Sequence, residues 1–482
     1  MAGALPWQTD LHVNPQPVSL DGEWALAHYE EGAYPIEEPG QLENWALEWI
    51  PAQVPGNVEL DLLRAGQIEE PFYASNMRQL LPLESHTWWY RRRFKLTADF
   101  WPGPGEQVEL IFEGLDTLAT IWVNHQKAGE SANMLLEQRF DVTHLLRPGE
   151  ENELVVRLDS ALNAARRMRY EPGSMSWEHR FEGLHLRKAP HTWGWDITPR
   201  AVSAGIWRSV RLEKKPAVGF DWIYYWSVST GSDGATLGTR FQVRLPQEPL
   251  KGWCVKFHGD CRGHCFDYTW PLEFIADGCT IPITGARLWW PAGMGAPDLY
   301  TVTAQLCHGE TVLAERRERI GLRSLRIERT ELAGQAWNTE PLDSVTGRFD
   351  RPPLPDSHFV ITVNDQPVMI KGSNWVPLDA FHSRDAARLP QALALVEELG
   401  CNMIRCWGGN VYESDAFFDR CDELGVLVWQ DFAFACCLYP QTESFLAQVQ
   451  AEAEQVVPRL RNHACLALWC GNNENDMAYL SE

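Results

Sequence analysis

Four short apolar runs in the C-terminal part of the chain are each followed by polar or aromatic side chains. Arg405 and Trp407 follow the second run, and Asp431 ends the third. Glu474 follows the fourth run, directly after Asn473. A carboxyl group can donate and accept a proton in hydrolysis, and an arginine can bind a carboxylate or a polar substrate. Tryptophan rings give such a site flat, amphipathic walls. This combination indicates acid–base chemistry on a polar substrate.

The elements that carry these residues have the pattern of a parallel β-sheet. Continuous apolar runs predict buried strands, and the segments between them have the apolar period of amphipathic helices. The predicted strands are 368–372, 402–406, 426–430 and 465–469, and the predicted helices are 389–399, 414–424 and 444–461. This alternation indicates βαβ units, and four of them make the first half of a (β/α)8 TIM barrel. The alternative is a small doubly wound sheet, but no glycine-rich phosphate loop follows its first strand.

In such a barrel the residues that follow the strands meet at one end, the face where catalysis takes place. We therefore expect Arg405, Asp431 and Glu474 to share a pocket with two tryptophans. These are Trp375 and Trp407. A carboxylic acid in an aromatic pocket is desolvated, which raises its pKa toward that of a general acid. The competing interpretation is a set of unrelated ion pairs and loop caps, one at each strand end.

The rest of the chain is predicted to form two β-rich domains. Residues 1–212 contain short alternating segments separated by turn residues, which is typical of a jelly-roll β-sandwich. Residues 213–325 have further strand candidates and the size of an immunoglobulin-like β-sandwich. Residues 326–482 then hold the half-barrel, so the predicted fold class is multidomain, β followed by α/β. The alternating segments of the first domain include 20–26, 108–112, 119–123 and 152–158.

Charge and composition limit the partners of the chain. Its 482 residues include 42 Lys and Arg against 65 Asp and Glu, which gives a net charge of −23. Such a chain repels phosphate backbones and anionic lipids, so neither nucleic acid nor a membrane is expected as a partner. The 23 tryptophans are unusually many for this length, and a handful of them are expected to line a binding cleft.

The sequence also bears on the cellular compartment. Residues 1–13 lack the basic and apolar segments of a secretory signal. No apolar run approaches the ~18 residues of a membrane-spanning helix. All 12 cysteines lie after position 253, without the repeated spacing of a disulfide framework. We therefore expect free thiols and a cytoplasmic protein.

A cluster of possible zinc ligands lies in one short segment of the second domain. It consists of Cys254, His258, Cys261, His264 and Cys265. Their spacing fits no usual two-plus-two zinc pattern, and successive strand residues face opposite sides of a sheet. Neither a metal site nor a cofactor is therefore expected. The sequence also lacks the Gly-x-Ser-x-Gly motif of a serine hydrolase.

Several motifs resemble those of glycoside hydrolase family 2 and, within it, of the β-mannosidases. In the C-terminal part they are KGSNW at 371–375, NMIRCWGG at 402–409, CDELGVLVWQD at 421–431 and LWCGNNE at 468–474. Further upstream they are AGIWRSV at 204–210 and LWWP at 288–291. The resemblance therefore extends along nearly the whole chain.

The resemblance implies roles for the residues at the strand ends. In the family, the glutamate of an Asn-Glu pair after the fourth strand is the general acid/base, which corresponds to Glu474. The asparagine before it, here Asn473, usually contacts the sugar 2-hydroxyl, which is axial in mannose. Trp407 resembles a platform for a sugar ring. We expect the remaining strand-end residues Arg405, Trp375 and Asp431 to bind substrate with them, although Asp431 also suits a structural contact.

The resemblance also implies a contribution from the first domain. In β-mannosidases a loop of that domain reaches the active site and grips the terminal sugar. The corresponding residues here are Trp195 and Asp196, within HTWGWDITPR at 191–200. Ile197 and Thr198 stand where the family usually has Trp-Gly, which leaves the details of the sugar subsite open. By residue type alone, a Trp-Asp pair in such a loop is more often a turn with a capping aspartate.

The implied activity is that of a retaining exo-β-mannosidase acting on β-mannoside oligosaccharides. A retaining enzyme needs a nucleophilic carboxylate in addition to its acid/base. In the family the nucleophile is a glutamate on a later barrel strand, which we expect beyond residue 482. The chain is then the N-terminal part of a longer enzyme, or a truncated one, and inactive alone. The alternatives are a β-galactosidase, β-glucuronidase or exo-β-glucosaminidase, or a non-catalytic carbohydrate-binding remnant. The sequence leaves the oligomeric state unknown.

Overall fold

The computed structural model describes residues 16–97, 100–103, 105–171, 173–176, 180–246, 249–329 and 359–480. Most of the regular structure is β-sheet, with a few helices. The prediction of a chain built largely from sheets, with helices toward its C-terminal end, is confirmed. Within the described residues no helix is long and apolar enough to cross a membrane.

Two antiparallel sheets enclose the core of the N-terminal region. Their strands are β1 (Val18–Ser19), β2 (Gly22–Glu30), β3 (Ile50–Val54), β4 (His86–Lys95), β5 (Gln107–Phe112), β6 (Leu118–Val123), β7 (Gln126–Ser131), β8 (Gln138–Asp141), β9 (Glu151–Asp159) and β10 (Val210–Lys215). The sheet orders are β1-β10-β5-β8 and β3-β2-β4-β9-β6-β7. In β3 the alternate residues Ile50, Ala52 and Val54 are buried, as expected for a strand with one face on a core. The strands predicted at 108–112, 119–123 and 152–158 correspond to β5, β6 and β9.

Short helices connect these strands. The α-helices are α1 (Val58–Arg64) and α2 (Ala161–Arg166). The 3₁₀ helices in the described part of the region include Pro39–Asn44, Asn76–Ser85, Phe181–Leu184 and Pro190–Trp193. The last two lie in the long connection between α2 and β10, which leaves the sandwich and runs against the C-terminal region.

A second pair of antiparallel sheets follows. Its strands are β11 (Gly219–Gly231), β12 (Gly234–Arg244), β13 (Trp253–Cys261), β14 (His264–Pro271), β15 (Ala276–Thr284), β16 (Tyr300–His308) and β17 (Thr311–Ile320). The sheet orders are β11-β12-β15 and β14-β13-β16-β17. Ile223, Leu237, Phe257 and Val302 are among the side chains buried between the two sheets. This hydrophobic core is separate from that of the N-terminal region.

The C-terminal region contains a small antiparallel sheet and a parallel sheet. The strands are β18 (Leu325–Arg329), β19 (Phe359–Val363), β20 (Gln366–Pro367), β21 (Gly372–Trp375), β22 (Met403–Cys406), β23 (Leu427–Asp431) and β24 (Leu466–Cys470). The helices are the 3₁₀ turn His382–Arg384, α3 (Asp385–Glu398), α4 (Asp415–Leu424), α5 (Glu443–Leu460) and α6 (Asn475–Leu480). The parallel order β21-β22-β23-β24 follows the chain order, with α3, α4 and α5 between successive strands. The predicted βαβ units are thus present.

One predicted strand lies at a different position. The first strand of the parallel sheet was predicted at 368–372, but β21 spans Gly372–Trp375. The apolar side chain of Met369 is 79% exposed, so this run is not a buried strand. Its backbone is bonded elsewhere, because Val368 N–H donates to the carbonyl of Ile361 and the Asn402 side chain bonds Met369 O and Lys371 N. The other three strands begin within one residue of their predicted positions.

Candidate active site

Arg405 lies at the centre of the polar residues at the carboxyl ends of the parallel strands. Its guanidinium donates to both oxygens of Asp431, at 3.2 Å from Nε and 2.6 Å from Nη2. Nη2 also donates to Oδ1 of Asn473 at 2.8 Å, and Nη1 to Oδ1 of Asn374 at 3.3 Å. The parallel register explains the contact, since Asn374, Arg405 and Trp429 are paired neighbours on one face of the sheet. Of the three residues predicted to share a pocket, Arg405 and Asp431 are in direct contact, and Arg405 reaches Asn473, the residue before Glu474, rather than Glu474 itself.

Asp431 is a buried anchor rather than an open ligand. Its side chain has no exposed surface and accepts hydrogen bonds from Trp429 Nε1 at 3.0 Å and Gly408 N–H at 3.1 Å, besides those from Arg405. Burial raises the pKa of Asp431, and Arg405 and the other donors oppose that rise. With its carboxylate occupied by protein donors, Asp431 has the contacts of a residue that holds Arg405 in place.

Asn473 and Glu474 lie on the turn between β24 and α6. The turn is tied to the segment after β23, because Asn473 N–H donates to Phe434 O and Cys436 N–H donates to Asn473 O, both at 2.8 Å. Glu474 has a φ of 57°, in the left-handed region that side chains with a Cβ seldom adopt. Such backbone conformations concentrate at functional sites.

Within the described residues the side chain of Glu474 is exposed, whereas the prediction had it desolvated among tryptophans. The reason is its position in the sheet. β24 is an edge strand of the described sheet, and the turn that follows it opens to solvent on the side away from β23.

Cys436 was not predicted to belong to the site. Its Sγ lies 3.3 Å from Oε2 of Glu474 and 3.4 Å from Nδ2 of Asn473. Burial and the neighbouring Glu474 carboxylate raise the pKa of the Cys436 thiol to about 12, so the thiol stays protonated and can donate. The residue lies in a loop with no regular period, so pattern analysis gave no signal for it beyond its position after the third strand.

Trp407 and Trp195 come together from different regions of the chain. Their ring centroids are 5.2 Å apart in an edge-on arrangement. Trp407 is packed across Gly409, where an added Cβ would lie 1.9 Å from the ring. Gly409 O in turn accepts from His191 N–H at 3.0 Å, at the start of the loop that carries Trp195. Asp196 follows on an exposed turn, so the structure brings the loop to the end of β22 as expected.

Trp375 does not line the candidate site, contrary to the prediction. It is buried, its Nε1 donates to Oε1 of Glu413 at 2.9 Å, and its ring packs against Phe417 of α4 at 5.0 Å. Successive strand residues point to opposite faces, so Trp375 faces the helices while its neighbour Asn374 faces Arg405. The predicted strand ended at residue 372, so Trp375 was expected to follow it, whereas Trp375 is the last residue of β21.

Arg187, in the same long N-terminal connection, fixes the loop after β23. Its guanidinium forms a buried ion pair with Glu452 of α5 at 2.8 Å, with side chains 2% and 1% exposed. It also donates to Ala433 O at 3.0 Å and lies 4.4 Å from the ring centroid of Phe434. Tyr412 OH donates to Oε1 of Glu452 at 2.6 Å, the same oxygen that Arg187 Nη2 binds. Sequence analysis did not identify this contact, because its partners are far apart in the chain.

The two histidines between 254 and 265 bond to separate partners, and Cys265 donates to Asp260. Nδ1 of His258 lies 2.8 Å from Asp267 Oδ1, and Nδ1 of His264 lies 2.7 Å from Tyr300 OH. Elsewhere in the described residues, Asp422, His463 and Cys465 bring possible metal-ligand atoms within 4.8 Å of one another. The two oxygens of Asp422 are already engaged, one by His463 Nδ1 and one by Cys465 N–H, each at 2.7 Å. These contacts fix the start of β24.

Two family models match the chain. One describes the galactose-binding-like domain of glycosyl hydrolase 2, over residues 29–208, and the other describes glycosyl hydrolases family 2, over residues 268–323. The chain contains domains of glycosyl hydrolase family 2. The matches cover the N-terminal sandwich and part of the second pair of sheets, and they agree with the resemblance inferred from the sequence motifs.

Among its relatives, the family 2 chain is 34% identical to β-mannosidase B of Thermothelomyces thermophilus over 432 residues, which is 88% of this chain and 47% of the relative. A crystal structure of β-D-mannosidase from Dictyoglomus thermophilum superposes with a TM-score of 0.78 at 33% identity, covering 95% of this chain and 52% of the other. A β-glucuronidase from Bifidobacterium dentium has the same fold at 19% identity, with a TM-score of 0.67 over 97% of this chain and 69% of the other. The chain spans about half the length of the curated relatives it matches.

Proposed function

We propose that this family 2 chain contributes to a retaining exo-β-mannosidase that removes terminal, non-reducing β-D-mannose. The homologous β-mannosidases support this substrate class. The observation that carries the proposal is the hydrogen-bonded group of Asp431, Arg405 and Asn473 next to Glu474, at the carboxyl ends of parallel strands. Such strand ends form the active site in (β/α)8 enzymes.

The proposed architecture follows from the same contacts. Residues 1–212 form a jelly-roll domain, 213–325 an immunoglobulin-like domain, and 326–482 the first half of a TIM barrel. The separate cores of the two sandwiches and the parallel order of β21 to β24 support this division. The nucleophilic carboxylate comes from a strand beyond residue 482, so the 482 residues alone are inactive. The greater length of the relatives supports this part of the proposal.

Each site residue has a role in the proposed reaction. Glu474 protonates the leaving oxygen while the nucleophile attacks the anomeric carbon, and it then activates the water that hydrolyses the glycosyl-enzyme. The Asn473 amide, whose Oδ1 is bonded to Arg405, contacts the sugar 2-hydroxyl.

The aromatic residues form the proposed sugar-binding wall. Trp407 and Trp195 meet at a ring distance of 5.2 Å and present two faces at a steep angle to a pyranose ring. Asp196, exposed on the adjoining turn, grips the hydroxyl groups of the terminal sugar. Arg405 and Asp431 act mainly by holding Asn473. Trp375 has no part in this wall, because it is packed against α4.

The experiment is hydrolysis of aryl β-mannosides by the complete protein that contains these residues. Glu474→Ala is expected to lower kcat/KM by about 10² to 10⁴-fold for a substrate with a poor leaving group, because such a leaving group needs a proton. A dinitrophenyl mannoside should lose much less in its first step. The matched control is Glu443→Ala, at the exposed start of α5, which should retain wild-type activity.

A panel of nitrophenyl β-glycosides separates the proposed substrate from its alternatives. Faster hydrolysis of a galactoside, glucuronide or glucosaminide than of the mannoside would contradict the mannose assignment. Binding of mannose by the complete protein without turnover would instead identify a non-catalytic carbohydrate-binding protein. Equal effects of Glu474→Ala on good and poor leaving groups would contradict the acid/base role.

A further inference from the structure

The side-chain hydrogen bonds of the candidate site form one continuous series. Asp431 binds Arg405, Arg405 Nη2 binds Oδ1 of Asn473, and Nδ2 of Asn473 donates to Sγ of Cys436 at 3.4 Å. The Cys436 thiol then donates to Oε2 of Glu474 at 3.3 Å. Cys436 is thus the link between the ion pair of Arg405 with the buried Asp431 and the exposed glutamate.

The backbone places Cys436 rigidly. Its N–H donates to Asn473 O at 2.8 Å, and the neighbouring Ala435 forms an isolated parallel bridge with Asn473. Two residues after Cys436, the N–H of Leu438 donates to Met175 O at 2.9 Å, which fixes the other end of this segment. The thiol therefore approaches Glu474 from a fixed support.

Glu474 needs such support. Its side chain is exposed and its backbone is in the left-handed region. An unrestrained glutamate side chain samples several rotamers, so holding it in one catalytic orientation costs conformational entropy. Within the described residues, Cys436 is the side chain that donates a hydrogen bond to its carboxylate. A displacement of about 1 Å of a catalytic group can reduce the rate by ~10²-fold.

We propose that Cys436 is a positioning residue for the acid/base Glu474, which it holds by an S–H···O hydrogen bond while accepting one from Asn473. The inference rests on the proposed function, since it assigns the orientation of the same acid/base. The thiol acts as a hydrogen-bond donor and not as a nucleophile, because a nucleophilic cysteine requires a thiolate.

The kinetic test compares Cys436→Ala and Cys436→Ser in the complete protein. Cys436→Ala is expected to lower kcat/KM, which reports the first step, by about 10- to 100-fold for an alkyl β-mannoside, whose departure needs the proton of Glu474. With a dinitrophenyl mannoside the loss should be under ~3-fold. Cys436→Ser restores a donor and should recover most of the activity. Cys401→Ala, at a half-buried position in the turn after α3, serves as the control and should behave as wild type.

A second measurement does not depend on activity. In the 482-residue chain, Glu474→Gln removes the carboxylate beside Cys436 and should increase the rate of Cys436 modification by a disulfide reagent about 10-fold, with Cys436→Ala as the blank. Equal losses for both leaving groups, failure of serine to rescue, or an unchanged modification rate would each overturn the inference. Absence of hydrolysis by the wild-type complete protein, with the modification rate raised, would refute the proposed function and leave the thiol–carboxylate contact established.

Discussion

At the scale of single residues, Arg405 determines the geometry of the candidate site. It holds Asp431 through two hydrogen bonds and orients the amide of Asn473 through a third. The guanidinium is planar and has several donors, so it can serve both partners at once, which the single ammonium of a lysine does less well. The guanidinium also lies over the Trp429 ring, 5.6 Å from the ring centroid, in a cation–π contact.

Arg405→Ala is expected to lower the free energy of unfolding by about 3–5 kcal/mol, because Asp431 would keep a buried charge without its cation. Urea unfolding of the chain, followed by tryptophan fluorescence, measures this change. The matched control is Arg420→Ala, whose ion pair with Glu397 is exposed by 45% and 58% and should contribute at most about 1 kcal/mol. Similar losses in the two variants would contradict the structural role given to Arg405.

At the scale of elements, the loop between β22 and α4 separates the site from the helix layer. Trp407 begins this loop and faces Trp195, whereas Glu413 ends it and accepts hydrogen bonds from Trp375 at 2.9 Å and Asn410 at 3.1 Å. Burial raises the pKa of Glu413 to about 7. The carboxyl group that supports this loop therefore becomes protonated at a higher pH than an ordinary glutamate does.

This raised pKa predicts a pH dependence of stability. The unfolded chain has an ordinary glutamate, with a pKa near 4.5, so the folded state binds more protons between pH 4.5 and about 7. The contribution of Glu413 to stability is complete below pH 4.5 and decreases as the pH rises to about 7. Glu413→Gln keeps an acceptor for Trp375 and has no charge to bury, so it should gain about 3 kcal/mol relative to wild type across this interval.

Urea unfolding of both proteins at a series of pH values tests this prediction. The difference in unfolding free energy between Glu413→Gln and wild type should grow from pH 4.5 to about 7 and then level off. Other buried carboxyls, such as Glu59, also have a pKa raised by burial to about 7, but they are common to both proteins and cancel in the difference. A difference that is constant with pH would contradict a neutral, buried Glu413.

At the scale of the whole molecule, the N-terminal region is bound to the parallel sheet by buried polar contacts. Arg187 forms the central one, with Glu452 of α5 and the carbonyl of Ala433, and Asn133 adds a bond to the same glutamate at 3.4 Å. Because Ala433 lies in the segment that leads to Cys436, the contact also supports the candidate site. The two regions therefore contribute to one structural unit.

Arg187→Met is expected to destabilise the chain by about 3–5 kcal/mol, since Glu452 would remain buried and unpaired. The double variant Arg187→Met, Glu452→Met removes both charges and should recover most of this loss, because apolar side chains can replace a buried ion pair at little cost. Denaturant unfolding of the two variants and wild type measures the coupling. A double variant that is less stable than the single one would show that the pair itself, not the unpaired charge, supplies the stability.

The sequence by itself determined most of the local order in the C-terminal region. Continuous apolar runs and the 3.6-residue period located β22 to β24 and α3 to α5 to within a few residues, because both patterns arise from burial of one face. It also indicated that Arg405 and Asp431 would lie together near the Asn473–Glu474 pair, since parallel strands bring their carboxyl ends to one edge. The family followed from the motifs at those ends.

Tertiary structure alone decided which side chains face the site. Trp375 and Asn374 are adjacent in the sequence, yet the strand directs one into the helix layer and the other toward Arg405. The link from Asn473 through Cys436 to Glu474, and the clamp of Arg187 on Glu452, join residues tens to hundreds of positions apart. Local sequence patterns do not predict such pairs, because the pairs form only when separate elements pack against each other. Those contacts determine where the candidate acid/base Glu474 is held.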